Sequence, residues 1–315
     1  MEAHKMISYW QIIPNGLLPI QTYKKECVVN VVAPTPSEVE VLKSTFKIPA
    51  DIISDIQDVD ERSRMEVEDD MLILILRIPL HTPSNGVPFT TIPLGIIVSG
   101  ENILVICQRE NSVISEFFGQ RHRKNFNFEN KVDFILSIFL QTTNIYHRYL
   151  KQINHQTNLV EHDLEQSTKN EELQKLLKLE KCLVFFTTSL RSNEFLLAKL
   201  RSSRFVQSNS YSEDLLEDVV IENKQAIEMA HIYSDIQSGM MDAFASVISN
   251  NLNIVMKQLT IVTIILTIPT MIASFFGMNV PNSFESSSFA FVAILGLSIV
   301  LSIVGVLFLR RRKWM

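Results

Sequence analysis

Side-chain oxygens fall at two places in this 315-residue chain where their spacing suits a hydrated cation. The first is near the C-terminus. Asn253, Met256, Thr260, Thr263, Thr267, Thr270 and Ser274 follow steps of 3, 4, 3, 4, 3 and 4 residues, so a helix carries them on one stripe while Ile261, Ile265, Ile268 and Ile272 fall elsewhere. Two readings of the stripe stand. Small hydroxyl residues let membrane helices approach closely and can bond back to their own backbone, which makes a packing seam. The same residues also suit the wall of a water-filled pore. A polar Gly277-Met278-Asn279 just beyond the stripe, and amides at its other end, tilt the balance toward the pore. Two spans cannot enclose a conduit, so a pore requires a symmetric ring of copies. Pro269 removes one backbone bond and is expected to kink the outer third of this helix.

The second place is acidic. Glu213, Asp214, Glu217, Asp218 and Glu222 crowd the start of a long helical pattern, and the pairs 213/217, 214/218 and 218/222 set like charges four apart. A helix N-terminus tolerates anions through its dipole, which accounts for the first turn. Asp218 and Glu222 lie beyond that turn. A divalent cation would relieve their repulsion, and an all-oxygen ligand set suits Mg2+. A second acidic run, Glu66, Glu68, Asp69 and Asp70, reads as a solvated turn before a strand or as a source of partner ligands across a subunit boundary.

The elements that must position these groups divide the chain. Residues 258–284 and 286–309 hold no Asp, Glu, Lys or Arg except at position 285, between them. Spanning a bilayer takes about 20 mainly apolar residues, so spans are expected near 258–276 and over 289–309. Arg310, Arg311, Arg312 and Lys313 follow the second span directly, with Trp314 suited to an interface. That places both termini in the cytoplasm and the loop 277–288 outside. Lys5 precedes only a short apolar run broken by Pro14, so no signal peptide is expected.

Upstream, 213–276 reads as one helix of 64 residues, about 95 Å long, running from the cytosol into the membrane. A helix of that length needs partner helices, from other copies. Residues 126–212 read as two long antiparallel helices, with turns at 165–172 and 202–212. Residues 1–125 read as a small α/β domain. There, 27–33 and 71–80 are strands, the latter buried on both faces. Residues 93–99 and 103–108 flank Gly100 in a hairpin, Ser37 caps a helix over 38–45, and Pro49 starts another ending near Ile56. Cys27, Cys107 and Cys182 are scattered and odd in number, the pattern of buried thiols. A net charge of −5 without a basic patch argues against nucleic acid. No glycine-rich phosphate loop or nucleophile elbow is present, so no enzyme and no cofactor is expected. His155 and His162, seven apart, are weak metal candidates.

At Asn253-Ile254-Val255-Met256-Lys257-Gln258-Leu259-Thr260, Pro269 and Phe276-Gly277-Met278-Asn279 the chain resembles the CorA family of divalent-cation transporters. The order of parts matches along nearly the whole length. The resemblance implies a funnel-shaped homopentamer whose first membrane helix lines the pore, with Thr260, Thr263, Thr267 and Thr270 on the wall. It implies a ring of Asn279 amides at the outer mouth, a turn at Gly277, Met278 packed behind the ring, Asn253 as the inner polar ring, and Met256 with Leu259 as a hydrophobic constriction. Asp218 falls where the family places an intersubunit regulatory Mg2+ ligand, and Asp242 at an acidic position near the inner mouth; Glu222, Glu68 and Asp69 complete the candidate regulatory set. Phe276 departs from the usual tyrosine, Thr267 stands where some members carry a bulky apolar gate residue, and Glu285 has no fixed register. The implied function is Mg2+ influx across the cell membrane, closed by high cytosolic Mg2+, with Co2+ or Ni2+ as further cargo. The alternatives are a zinc transporter of the same superfamily and a membrane-anchored cation sensor that no longer transports.

Overall fold

The computed structural model describes residues 7–13, 16–68, 70–82, 86–119, 130–166, 170–278 and 289–311. The chain divides into two compact units, Met1–Met241 and Asp242–Met315.

The first unit is built on a seven-stranded sheet. Its strands are β1 (Ile7–Ile13), β2 (Gly16–Ile20), β3 (Cys27–Val32), β4 (Arg64–Glu68), β5 (Met71–His81), β6 (Phe89–Ser99) and β7 (Asn102–Cys107), in the order β2-β1-β3-β7-β6-β5-β4. β3 and β7 run parallel and the other neighbours antiparallel. Alternation along β5 explains how the sheet is covered. Leu72, Leu74, Leu76, Ile78 and Leu80 join the core on one face, and Met71, Ile73 and Ile75 the core on the other. One face is covered by α1 (Pro36–Phe46) and α2 (Ala50–Gln57), the other by α3 (Ser112–Gly119), α4 (Lys131–Gln166) and α5 (Asn170–Arg201).

Three local expectations are corrected. α1 is capped by Thr35, not Ser37: Glu38 N donates to Thr35 Oγ1 and the Glu38 carboxylate takes Thr35 N, a reciprocal capping box. The hairpin strand does not begin at Pro93 but runs from Phe89. Pro93 costs no ladder bond because the β6–β7 register ends at the next residue, Leu94↔Cys107. The acidic run is not wholly a turn, since Glu66 and Glu68 lie on the edge strand β4, and Asp70 takes a left-handed φ of 60°. The strands β1 and β2 and the short helix α6 (Arg204–Gln207), inside the stretch 202–212, were not anticipated.

The sheet is tied to the long helices through Arg77. The β4–β5 ladder ends at Arg64↔Ile75, so the backbone groups of Arg77 have no strand partner. Asn193 of α5 replaces the missing strand: its Oδ1 takes Arg77 N at 2.9 Å, and its Nδ2 donates to Arg77 O at 2.7 Å. The fully buried Tyr146 of α4 donates to the same carbonyl at 3.1 Å, and burial raises its phenol pKa. The Arg77 guanidinium donates to the carbonyls of Val59, Glu61 and Thr91; burial lowers its pKa.

α7 (Glu213–Phe276) is continuous through Pro269 for 64 residues, and α8 is Ala290–Arg311. In the second unit Gly305 of α8 lies over Ile268 of α7, close enough that an added Cβ would meet Ile268 Cδ1 at 3.2 Å. Both helices are long and apolar enough to cross a membrane, and in each only 6% of the most apolar 18-residue window is buried.

Candidate functional site

The stripe on α7 is placed by where α8 packs. Ile261 is buried, and Ile265, Ile268 and Ile272 are half-buried. Asn253, Met256, Leu259, Thr260, Thr263, Thr267, Thr270 and Ser274 are exposed. The hydroxyl stripe is therefore not the seam between this chain's own two apolar helices; isoleucines fill that role.

The hydroxyl protons on the stripe are already committed. Thr260, Thr263, Thr267 and Thr270 each donate from Oγ1 to the carbonyl four residues back, those of Met256, Leu259, Thr263 and Leu266, at 2.7 to 2.8 Å. Such back-bonding leaves the hydroxyl oxygen lone pairs to face outward. The stripe thus presents acceptors, the polarity that suits cations and the hydrogens of their bound waters. Met256 and Leu259, 52% and 59% exposed, add an apolar collar at its inner end.

At the outer end Gly277 N still donates to Ala273 O at 2.9 Å, and Met278 N to Phe275 O at 3.5 Å. α7 ends at Phe276, and Gly277 stands in the turn that follows it without a left-handed φ. Met278 is 53% exposed. Asn279 and Asp69 lie outside the described residues, as do Glu285 and residues 312–315.

The acidic candidates separate. Asp218 is exposed in the first unit, with Glu213, Asp214 and Glu217. Glu222 is engaged within the chain: His147 Nε2 of α4 lies 3.2 Å from its Oε2 and 3.2 Å from its carbonyl oxygen. The sequence reading missed this contact because the residues are 75 apart. Glu68 is exposed at the end of β4, while Arg64, which also pairs with Asp55 at 2.6 Å, lies 3.4 Å from Glu66. Asp242 is exposed at the start of the second unit. Among the described residues no three His, Cys, Asp or Glu side chains converge on a metal-sized site.

The three cysteines are free and buried, and burial pushes the thiols of Cys107 and Cys182 up to about 11.

A large α/β domain followed by long helices and two C-terminal helices of membrane length is the architecture of an integral membrane protein with a substantial soluble part. The family model described as CorA-like Mg2+ transporter protein matches residues 27–311, and the chain belongs to that family. A cobalt/magnesium transport protein CorA of Methanocaldococcus jannaschii is 27% identical over 286 residues, covering 89% of each chain. The protein of the same description from Thermotoga maritima is 22% identical over 277 residues, covering 86% of this chain and 78% of its own. The complete structure of the Methanocaldococcus jannaschii CorA magnesium transporter superposes with a TM-score of 0.81 at 21% identity, covering 99% of this chain and all of the other. The fold is that of a full-length CorA protein.

Proposed function

We propose that this chain forms the pore of a channel-type Mg2+ transporter, also open to Co2+, as a homopentamer in the cell membrane with both termini in the cytoplasm. The observation that carries this reading is the stripe of four back-bonded threonines, exposed on the face of α7 that α8 leaves uncovered. A lipid-facing helix surface has no use for such acceptors; a file of hydrated cations does. The curated relatives from Methanocaldococcus jannaschii and Thermotoga maritima, both described as cobalt/magnesium transport proteins, support the choice of cargo.

In this mechanism five Asn279 amides at the outer mouth accept hydrogens from the inner water shell of Mg2+, an ion that gives up its waters reluctantly. The partly hydrated ion then passes hydroxyl oxygens at Thr270, Thr267, Thr263 and Thr260. Met256 and Leu259 close the inner end by excluding water when the ring narrows. Asn253 is the last polar ring. No fuel is needed: a membrane potential of 100 mV favours entry of a divalent ion by about 4.6 kcal/mol.

Cytosolic Mg2+ closes the pore by bridging Asp218 and its neighbours between copies, with Glu222, Asp242, Glu68 and Asp69 as the further acidic set. Loss of Mg2+ frees the like charges and loosens the ring. Glu222 keeps His147 as its partner inside each copy, which holds α7 against α4 whether or not the interface cation is bound.

The test is purified protein in liposomes containing a fluorescent Mg2+ reporter, with native mass measurement of the detergent-solubilised complex. Mg2+ entry that rises with an inside-negative potential, from a particle of about five copies, is the expected result. A monomeric particle, or entry that occurs only with a proton gradient, would overturn the reading; the second outcome would favour a proton-coupled zinc transporter.

A further inference from the structure

The first half of α7 lies antiparallel to α5 and is tied to it by three side-chain contacts. Asn223 Nδ2 donates to Leu190 O at 3.2 Å, and Gln237 Nε2 donates to Leu176 O. Neither amide titrates. Between them along α7, His231 meets the Arg191 guanidinium of α5, Nε2 to Nη2, at 2.7 Å. Arg191 is exposed and His231 half-buried, so water and protons reach this contact.

The chemistry of the third contact fixes its protonation state. A guanidinium only donates, and it keeps its charge in proteins. His231 Nε2 is therefore the acceptor, on a neutral imidazole whose proton sits on Nδ1. Histidine is the side chain that changes charge across the physiological pH range. A proton on Nε2 removes the acceptor and sets two cations against each other. Within two turns of the contact the other titratable or charged groups are Glu194 on α5 and Lys224, Glu228, Tyr233 and Asp235 on α7. Among the described residues Glu194, Glu228 and Asp235 have no ion pair. Each lies three or four residues from Arg191 or His231 on the same helix, the spacing at which opposite charges pair. Protonation thus exchanges one bond between helices for pairs within each, Arg191 with Glu194 and His231 with Glu228 or Asp235. α4 meets α7 elsewhere, through His147 at Glu222, about a half turn around the helix from His231. A charge on His147 adds attraction to Glu222, so that contact does not loosen in acid.

We propose that Arg191 and His231 form a proton-released latch between α5 and α7, closed in neutral solution and open in acid. The two states differ in which charges pair, so the latch has a defined open form as well as a closed one. α7 continues from the latched stretch into the threonine stripe. The consequence for transport rests on the reading above, in which a loosened ring conducts. Acid on the cytosolic side should then speed uptake at a fixed cytosolic Mg2+. The latch itself does not depend on that reading.

The test uses full-length protein and two variants, at about pH 8 and about pH 5.5, either side of the histidine range. His231→Gln supplies an amide oxygen that accepts from Arg191 at any pH, and Arg191→Ala removes the donor. The melting temperature in detergent reports the latch alone. At the higher pH Arg191→Ala should melt about 2 °C below the unaltered protein, and at the lower pH that gap should close. In a His231→Gln background the gap should persist at both. Uptake into liposomes, at a fixed internal Mg2+ that partly inhibits, reports the consequence. On acidifying the interior the unaltered protein should speed up about two- to fivefold, the leverage of an exposed polar pair. His231→Gln should not respond, and Arg191→Ala should be fast at both pH values. A melting gap equal at both pH values, or one that also closes in the His231→Gln background, would overturn the latch. A gap that closes while uptake ignores pH would overturn its tie to the pore. No uptake under any condition would overturn the transport reading and leave the latch standing on the melting data.

Discussion

The two units of this chain solve the same problem in opposite ways. In the first, Leu74, Ile75 and Leu76 are wholly buried, and the backbone groups that β4 cannot reach are closed by Asn193, 116 residues away. In the second, Leu266, Phe275 and Phe308 stand 65%, 63% and 61% exposed, and each threonine hydroxyl is closed by its own helix. A water-facing domain can add distant partners to local ones such as the Ser137 and Thr143 back-bonds, because collapse brings those partners in. A membrane helix keeps its polar bonds within its own length, because the lipid around it supplies neither donors nor acceptors, and the threonine oxygens on the stripe remain open to water. Damage to the first unit should therefore register as lost stability, and damage to the exposed stripe of the second as lost transport in a stable protein.

The largest effect that would sharpen this contrast is expected at the outer end of the stripe. Asn279→Ala should reduce Mg2+ uptake at least a hundredfold, about 3 kcal/mol of barrier, with the oligomer and melting temperature unchanged. Normal uptake would remove Asn279 from the pore mouth. The converse substitution in the first unit is Asn193→Leu. It strands the N–H of Arg77, whose C=O keeps Tyr146 as a donor, a cost of about 1–3 kcal/mol, so the melting temperature should fall while uptake per folded protein holds. Gly305→Leu comes next. Its side chain must displace Ile268, for about 1–3 kcal/mol by overpacking, read as a smaller fall in the melting temperature. The smallest effect is expected at the acidic cluster, where Asp218→Ala with Glu222→Ala should weaken Mg2+-dependent protection from protease. Equal cleavage of the unaltered protein with and without Mg2+ would count against any regulatory site there.

What could be read in advance follows the same division. Residues 71–80 announce a strand because both faces are buried and the run is almost unbroken; it is β5, Met71–His81. The proline-free run after Glu213 announces a helix; it is α7, Glu213–Phe276. The failures were the two edge strands and β1, which lies next to one of them. β2 is short and broken by Pro19, and β4 is an edge strand whose Glu66 and Glu68 face solvent. The cap of α1 was misplaced by two residues because Ser37 and Thr35 are chemically alike, and only the reciprocal bond to Glu38 separates them. Of the candidate site, the stripe was legible from its spacing, because a helix converts sequence position directly into angle. The acidic set was not. Asp218 and Glu222 share α7 but Glu68 comes from β4, and the contact between Glu222 and His147 crosses 75 residues without any periodic sign.

The most direct measurement uses the silence of the native thiols. Cys27, Cys107 and Cys182 are buried, and Cys107 and Cys182 titrate near 11, so at pH 8 they stay protonated and shielded from a charged, water-borne thiol reagent. Thr263→Cys on the stripe and Val262→Cys beside it, both exposed on α7, would each be placed in liposomes and treated with that reagent during Mg2+ uptake. A water-filled pore predicts rapid modification and loss of uptake for Thr263→Cys only. Equal modification at both positions, or uptake unaffected by a modified Thr263→Cys, would contradict a pore lined by this stripe.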